Sequence, residues 1–454
     1  MSEVQVREGS LADRLMDPVP QLQALIVLAV ALGGGGSAYG LRNLLIQLAA
    51  LAVLGMQAGR VGRFFRTAPR ALVLLVCASV AVPLLQLVPL PASIWQALPG
   101  RELAAEGLAL AGRGESPWFT ISLNPVRTLV ALVGTILPAT LIMLGSGLAP
   151  PQKLRLVHTL VIATCCALML GVVQLSSANS TLLLYHERTE PDVLYATFAN
   201  RNSTGMLFVL ALSLLAAMPL PRARHWLLAM LAAGVLLVIA VVLTQSRTSM
   251  VLLSLPLGLA LLRTCWTWWS ARRGGERSLQ PFLLGGLALA ALAGGAIGWS
   301  AMSGGRAAES IARFSDFQTD RPEMWEDGIY AAGHYWPAGA GTGEFDDVFQ
   351  IHESLEYVSP RRAGRAHNDY IELAIESAGT GLLLAALWLA WCGWAALRPS
   401  PPEERWLRLG AGVGVAAIAL QSLMDYPLRN QSILCVAAVL VVLLARPRSR
   451  DQNA

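Results

Sequence analysis

The chain has a single lysine, Lys153, among 34 basic residues, and only 14 % of its 454 residues are charged. An ordinary soluble domain carries about a quarter charged residues, so this composition excludes a typical water-soluble enzyme. Cysteine is scarce as well. Cys77, Cys165, Cys166, Cys265, Cys392 and Cys435 all sit in or at the edges of apolar runs. None lies in a polar loop, which excludes a disulfide framework and a zinc-ligand spacing. The formal charge of +5 is carried by arginines in short connectors. That pattern suits membrane topology and excludes nucleic acid as a partner.

What the sequence does have is hydrocarbon. Hydrophobic residues make up 55 % of it. They fall in blocks of about 16–24 residues, long enough to cross roughly 30 Å of bilayer. No two-residue alternation marks a membrane barrel, and a span in lipid must satisfy its own backbone, so the blocks are expected to be helices. The fold class is therefore all-α, a polytopic membrane protein with about 12 transmembrane helices. Expected spans are 21–36, 41–58, 71–90, 126–148, 154–176, 203–220, 226–244, 249–264, 281–302, 371–397, 408–426 and 430–445.

These spans divide the chain. A polar N-terminal segment, 1–20, precedes helices 1–9 over 21–302. A long polar loop, 303–370, separates helices 9 and 10; helices 10–12 occupy 371–445 and a tail covers 446–454. No cleavable signal pattern precedes the first span, so the N-terminus is expected inside. The arginine-rich connectors 59–70 and 263–278 then also face the cytoplasm, with Lys153/Arg155, Arg222/Arg224, Arg398/Arg405/Arg408 and the tail. Both termini are cytoplasmic in this reading. Leu90–Pro125, Ser177–Asn202, the Gln245–Thr248 turn and the long loop lie outside.

Chemistry is expected on or under the long loop, which holds His334, His352 and His367. From Ser303 to Tyr370 there are six arginines against twelve acids, so this is no general anion-binding surface. Any phosphate must be gripped by specific arginines. Arg247, between two apolar runs, reads either as a snorkelling interfacial residue or as a phosphate clamp. Arg321 precedes Pro322, which is expected to open a helix with Glu323, Glu326 and Asp327 in its first turn. It reads as a surface ion-pair partner or a second phosphate ligand. Gly339, Gly341 and Gly343 form a glycine-rich turn that allows close backbone approach. No strand precedes them, which excludes a dinucleotide loop.

Asp369 and Glu372 have capping-box spacing, which places a helix start where the chain re-enters the membrane. His367 sits just ahead of it, either as a hydrogen-bonded structural residue or as a general base. Asn200 and Asn202 read as a helix cap or as groups facing a substrate cavity.

Together these motifs resemble the O-antigen ligase / O-antigen polymerase superfamily of bacterial surface-polysaccharide enzymes. The matching parts are Ser246-Arg247, Arg321-Pro-x-x-Trp325, Pro337-x-Gly-x-Gly341-x-Gly343-x-Phe345, Ala366-His367-Asn368-Asp369-Tyr370 and Glu376-x-x-Gly379. The resemblance implies metal-independent, inverting glycosyl transfer at the periplasmic face of the bacterial inner membrane, with no cofactor. The donor would be a glycan on undecaprenyl diphosphate. The acceptor would be lipid A–core in a ligase, or a second lipid-linked glycan in an O-antigen or exopolysaccharide polymerase. Arg247 and Arg321 would bind the diphosphate, and His367 would position or deprotonate the acceptor hydroxyl. Trp325, Tyr335 and Trp336 could stack on sugars or pack the loop. The rival from another class is a secondary transporter, but the sequence shows no duplicated motif between its halves.

Overall fold

The fold is set by two helices that are apolar on every side. Arg201–Ala217 and Gln431–Leu444 bury almost every residue, as helices without a polar face must. The computed structural model describes residues 16–36, 39–112, 117–185, 190–274, 321–356 and 362–446, the backbone alone at 271–274. In chain order the helices are α1 Pro18–Leu32, α2 Gly40–Met56, α3 Ala58–Thr67, α4 Arg70–Gln86, α5 Ala92–Trp95 and α6 Glu102–Leu110. Then follow α7 Pro125–Gly134, α8 Ile136–Gly145, α9 Pro150–Ser176, α10 Arg201–Ala217, α11 Arg224–Leu243, α12 Arg247–Leu252 and α13 Ser254–Gly274. The last are α14 Arg321–His334, α15 Phe345–His352, α16 Asp369–Leu397, α17 Pro402–Gln421 and α18 Gln431–Leu444.

Among the described residues there are no β-strands, only two isolated bridges, Gly34–Phe198 and Leu90–Phe119. Each expected span except the ninth has a helix at its position; the ninth, 281–302, and the start of the long loop lie outside the described residues. Five helical stretches are long and apolar enough to cross a membrane, namely α7 with α8, α9, α11, α12 with α13, and α16, and the bent pair α2–α3 would make a sixth. α1, α4, α10 and α18 are apolar but shorter. Against the central α10 pack α17, α11, α13 and α9, and against α18 pack α8, α17 and α1.

The connectors rich in arginine meet at one end of this bundle. Arg446 pairs with Glu404 at 2.8 Å, Lys153 donates to the Ala445 carbonyl at 2.7 Å, and Arg263 donates to Ala216 and Met218. Each long side chain thereby keeps its charged head near the helix ends.

The opposite end carries the polar segments, and these have a core of their own. Ala331, Tyr335, Phe345, Val348, Phe349, Ala366 and Ile375 form a separate buried cluster. The glycine-rich turn joins it to the membrane helices. α16 is broken at Ala378, whose φ of 44° leaves the helical region. The carbonyls freed near the break accept from the turn: Ala340 N to Ile375 O at 2.8 Å and Gly341 N to Glu376 O at 2.9 Å. Gln86 of α4 adds a third donor, also to Glu376 O, at 2.9 Å. Gly339 has φ +79°, and a Cβ there would lie 2.5 Å from the Glu376 carbonyl oxygen. Only glycine permits both the conformation and the approach. The turn thus replaces the hydrogen bonds that the broken helix loses.

The segment between α4 and α7, expected as an outer loop, forms α5 and α6 with Trp95 buried. Arg101, fully buried, ties it to the turn by donating to Ile121 O and Gly339 O at 2.7 Å each. Tyr335 is also buried beneath this segment, so packing, and not sugar stacking, is its role.

Candidate active site

His367 is aimed by its backbone. Its φ of +51° turns the ring out of the path of α16. The cap of α16 is the next residue: Asn368 Oδ1 accepts from Tyr370 N and Ile371 N at 3.0 and 3.2 Å. This corrects the expected capping box, since Asp369 does not cap and Glu372 bonds instead to Ala366 N, Arg365 and Arg429. A short polar amide serves the free helix amides and leaves both carboxylates for the buried arginine.

The ring of His367 faces the loop between α17 and α18, where its Nδ1 lies 3.0 Å from Asp425 Oδ1. Asp425 is fully buried, and its other oxygen accepts from Asn200 Nδ2 at 3.3 Å. Asn200 also caps α10 through Asn202 N, and it lines the cavity. A buried carboxylate accepting from Nδ1–H assigns the tautomer in which Nε2 carries the lone pair. His367 is a third exposed and lines the cavity.

Asp425 and Tyr426 lie beyond the end of α17, which stops at Gln421. The expected span 408–426 ran through both, and this hid them. An aspartate at the end of an apolar run is itself a signal, because such residues are rare in lipid and mark function.

Beside the pair, Arg429 is held by three carboxylates on one face of α16: Asp369 at 3.2 Å, Glu372 at 3.2 Å and Glu376 at 2.8 Å. Burial alone would lower the pKa of Arg429, but Glu376, Glu372 and Asp369 more than offset this and raise it. The guanidinium occupies the place that a cation would otherwise take among these acids. It also fixes the Asp425 loop to the start of α16, which His367 precedes.

Arg321 is the first residue of α14, and its Nη1 donates to Met424 O at 2.8 Å, one residue from Asp425. Among the described residues its guanidinium pairs with no carboxylate. The other cavity arginines do: Arg127 and Arg362 with Asp346 and Asp347, Arg201 with Glu190, and Arg365 with Glu372. Trp325 fixes the neighbouring strand of chain by donating to Ala366 O at 2.8 Å. Arg247 opens α12, half-buried, and is not among the lining residues of the cavity. Its helix start nevertheless abuts the wall: Gln245 donates to Asp192 O and Ser249 to Asn202 O. The structure therefore brings His367 and Arg321 to the same Met424–Asp425 loop and sets the start of the Arg247 helix against the Glu190–Ser203 segment.

The cavity has a volume of about 1880 Å³. Its upper part holds His367, Arg321, Arg365, Arg429 and Asn200. Below these it continues as an apolar groove along Val76, Val80, Val130, Leu384, Trp388, Leu389, Leu434 and Val441. A polar chamber joined to a hydrocarbon groove suits an amphiphile with a charged head and a long apolar tail.

One titrating group lies against the glycine-rich turn. Glu344 is fully buried, accepting from Asn124 N at 2.8 Å and from Ser122 and Thr128 hydroxyls. Burial pushes its carboxyl up to about 7, although these hydrogen bonds pull the other way. A carboxyl raised above its unfolded value stabilises fully below that value, and the contribution is lost as pH rises from about 4.5 to about 7. Thermal melts of the purified protein should show wild type losing about 3 kcal/mol of stability across this window, with the slope largely absent in Glu344→Gln. An equal slope in the variant would remove Glu344 as its source.

No curated protein matches the chain. Residues 232–389 match the family described as O-antigen ligase, a stretch that contains Arg247, Arg321 and His367 and ends before Asp425 and Arg429. The motifs, the helical membrane architecture and this match, which spans about a third of the chain, together support a likeness to the O-antigen ligase and polymerase superfamily.

Proposed function

We propose that the chain is a metal-independent, inverting glycosyltransferase working at the periplasmic face of the bacterial inner membrane, of the O-antigen ligase type. It moves a glycan from undecaprenyl diphosphate to a hydroxyl of lipid A–core. The observation that carries this reading is the His367–Asp425 pair beside Arg321, at the junction of a polar chamber with an apolar groove.

In the proposed reaction, Asp425 accepts from His367 Nδ1–H and Nε2 takes the proton of the acceptor hydroxyl. The acceptor oxygen attacks the anomeric carbon from the face opposite the diphosphate. The bond from that carbon to the diphosphate oxygen breaks, and undecaprenyl diphosphate leaves. Arg321 meets the charge that develops on the leaving group; its fork matches phosphate oxygens, and no carboxylate among the described residues competes for it. The arginine already seated among Asp369, Glu372 and Glu376 supports a mechanism without a metal at those acids. The groove below would take the polyprenyl tail. Gathering the basic connectors at the far end supports cytoplasmic termini.

The test is transfer by the purified protein, in detergent with EDTA, from a lipid-diphosphate-linked oligosaccharide to lipid A–core or to a second lipid-linked glycan. Wild type should transfer, and Arg321→Ala should lose about a hundred- to a thousandfold. Use of only the second acceptor would make the chain a polymerase. Solute movement across vesicles without transfer would sink the enzyme reading in favour of a transporter.

A further inference from the structure

Away from the cavity, at the basic end, α3 turns by 78° from α2 and lies across the bundle as an amphipathic helix. The sequence explains the turn. Gly55, Gly59 and Gly62 interrupt the apolar run, and Gln57 at the elbow is buried, donating to Met16 O and Gln21. Phe64 is buried against the bundle, while Phe65 is half exposed on the outer side. Arg60, Arg63 and Thr67 follow at helical spacing on one face.

That face meets the α8–α9 turn in a recess of about 40 Å³, lined by Arg60, Arg63, Thr67, Ser146, Gly147 and Arg446. Of its three arginines only Arg446 has an acid, Glu404. Among the described residues Arg60 and Arg63 pair with no carboxylate, and the sequence has no Asp or Glu anywhere from Pro18 to Arg101. Cations in such number, uncompensated and beside a phenylalanine at a span end, are placed where lipid phosphates lie.

We propose that this recess is a binding site for the phosphate headgroup of an anionic phospholipid, with Arg60 and Arg63 as its ligands and Phe65 among the acyl chains. The site is independent of the glycosyl-transfer reading, since it shares no residue with the cavity. Its size admits one phosphate, and bound lipid would brace the α2–α3 elbow against the α8–α9 turn.

The experiment is titration of the purified full-length protein in uncharged detergent with phosphatidylglycerol or phosphatidylcholine, read by native mass spectrometry. Phosphatidylglycerol should bind wild type and lose about 25-fold in affinity in Arg60→Gln/Arg63→Gln, near fivefold for each charge. Arg60→Lys/Arg63→Lys should retain most of the binding. Arg222→Gln/Arg224→Gln removes as much charge from another connector at the same end and should bind as wild type does. Equal loss in that control would mean diffuse charge and overturn the site. So would equal binding of phosphatidylcholine, or unchanged binding by Arg60→Gln/Arg63→Gln. Competition by free glycerol phosphate as strong as by the lipid would mean a soluble-anion site instead and overturn the lipid assignment.

Discussion

Replacing His367 by alanine should cut glycan transfer about a hundred- to ten-thousandfold, the range of a positioned general base. Initial rates at saturating donor give the measurement, with circular dichroism to show that the variant folds. Asp425→Asn should act mainly on kcat, because the orienting carboxylate touches imidazole and not substrate. The amide can still hydrogen-bond Nδ1, but it no longer selects the productive tautomer or stabilises the imidazolium. The two losses should not add. Once His367 is absent Asp425 has no ring to orient, so the double variant should be about as slow as His367→Ala alone. Multiplying losses would mean that Asp425 acts elsewhere, and the paired mechanism would fall.

The second large effect is on stability. Arg429→Met keeps most of the volume but leaves Asp369, Glu372 and Glu376 buried together with less compensation. Breaking a buried ion cluster by removing one partner costs about 3–5 kcal/mol, chiefly from the charges left behind. Thermal melts should place the variant several degrees below wild type. Neutralising the abandoned acids, in Arg429→Met/Glu372→Gln/Glu376→Gln, should recover much of the loss. A single variant that melts with wild type would show that the cluster contributes little to the fold.

The helical membrane class was legible because hydrocarbon length and internal hydrogen bonding leave few alternatives. The neighbourhood of His367 was legible too, since a histidine before a cap and a polar loop crowd into one short stretch. What stayed hidden was long-range. Asp425 lies 58 positions from His367, and nothing local announces their contact. Arg429 falls in the short connector between two expected spans, and its three carboxylates come from a helix earlier in the chain. The glycines pointed to a turn, but their partner is a break at Ala378, a residue type that favours helix, and Gly379 beside it reads only as part of a motif.

That break also sets the depth of the acids. Below it, residues 379–397 of α16 rise by roughly 28 Å, about one hydrocarbon thickness. The lower piece can therefore span the apolar layer alone, and the turn carrying Asp369, Glu372 and Glu376 stands above it. The outer turn is fastened to Arg429 and to the glycine-rich turn, while the lower piece meets the lipid.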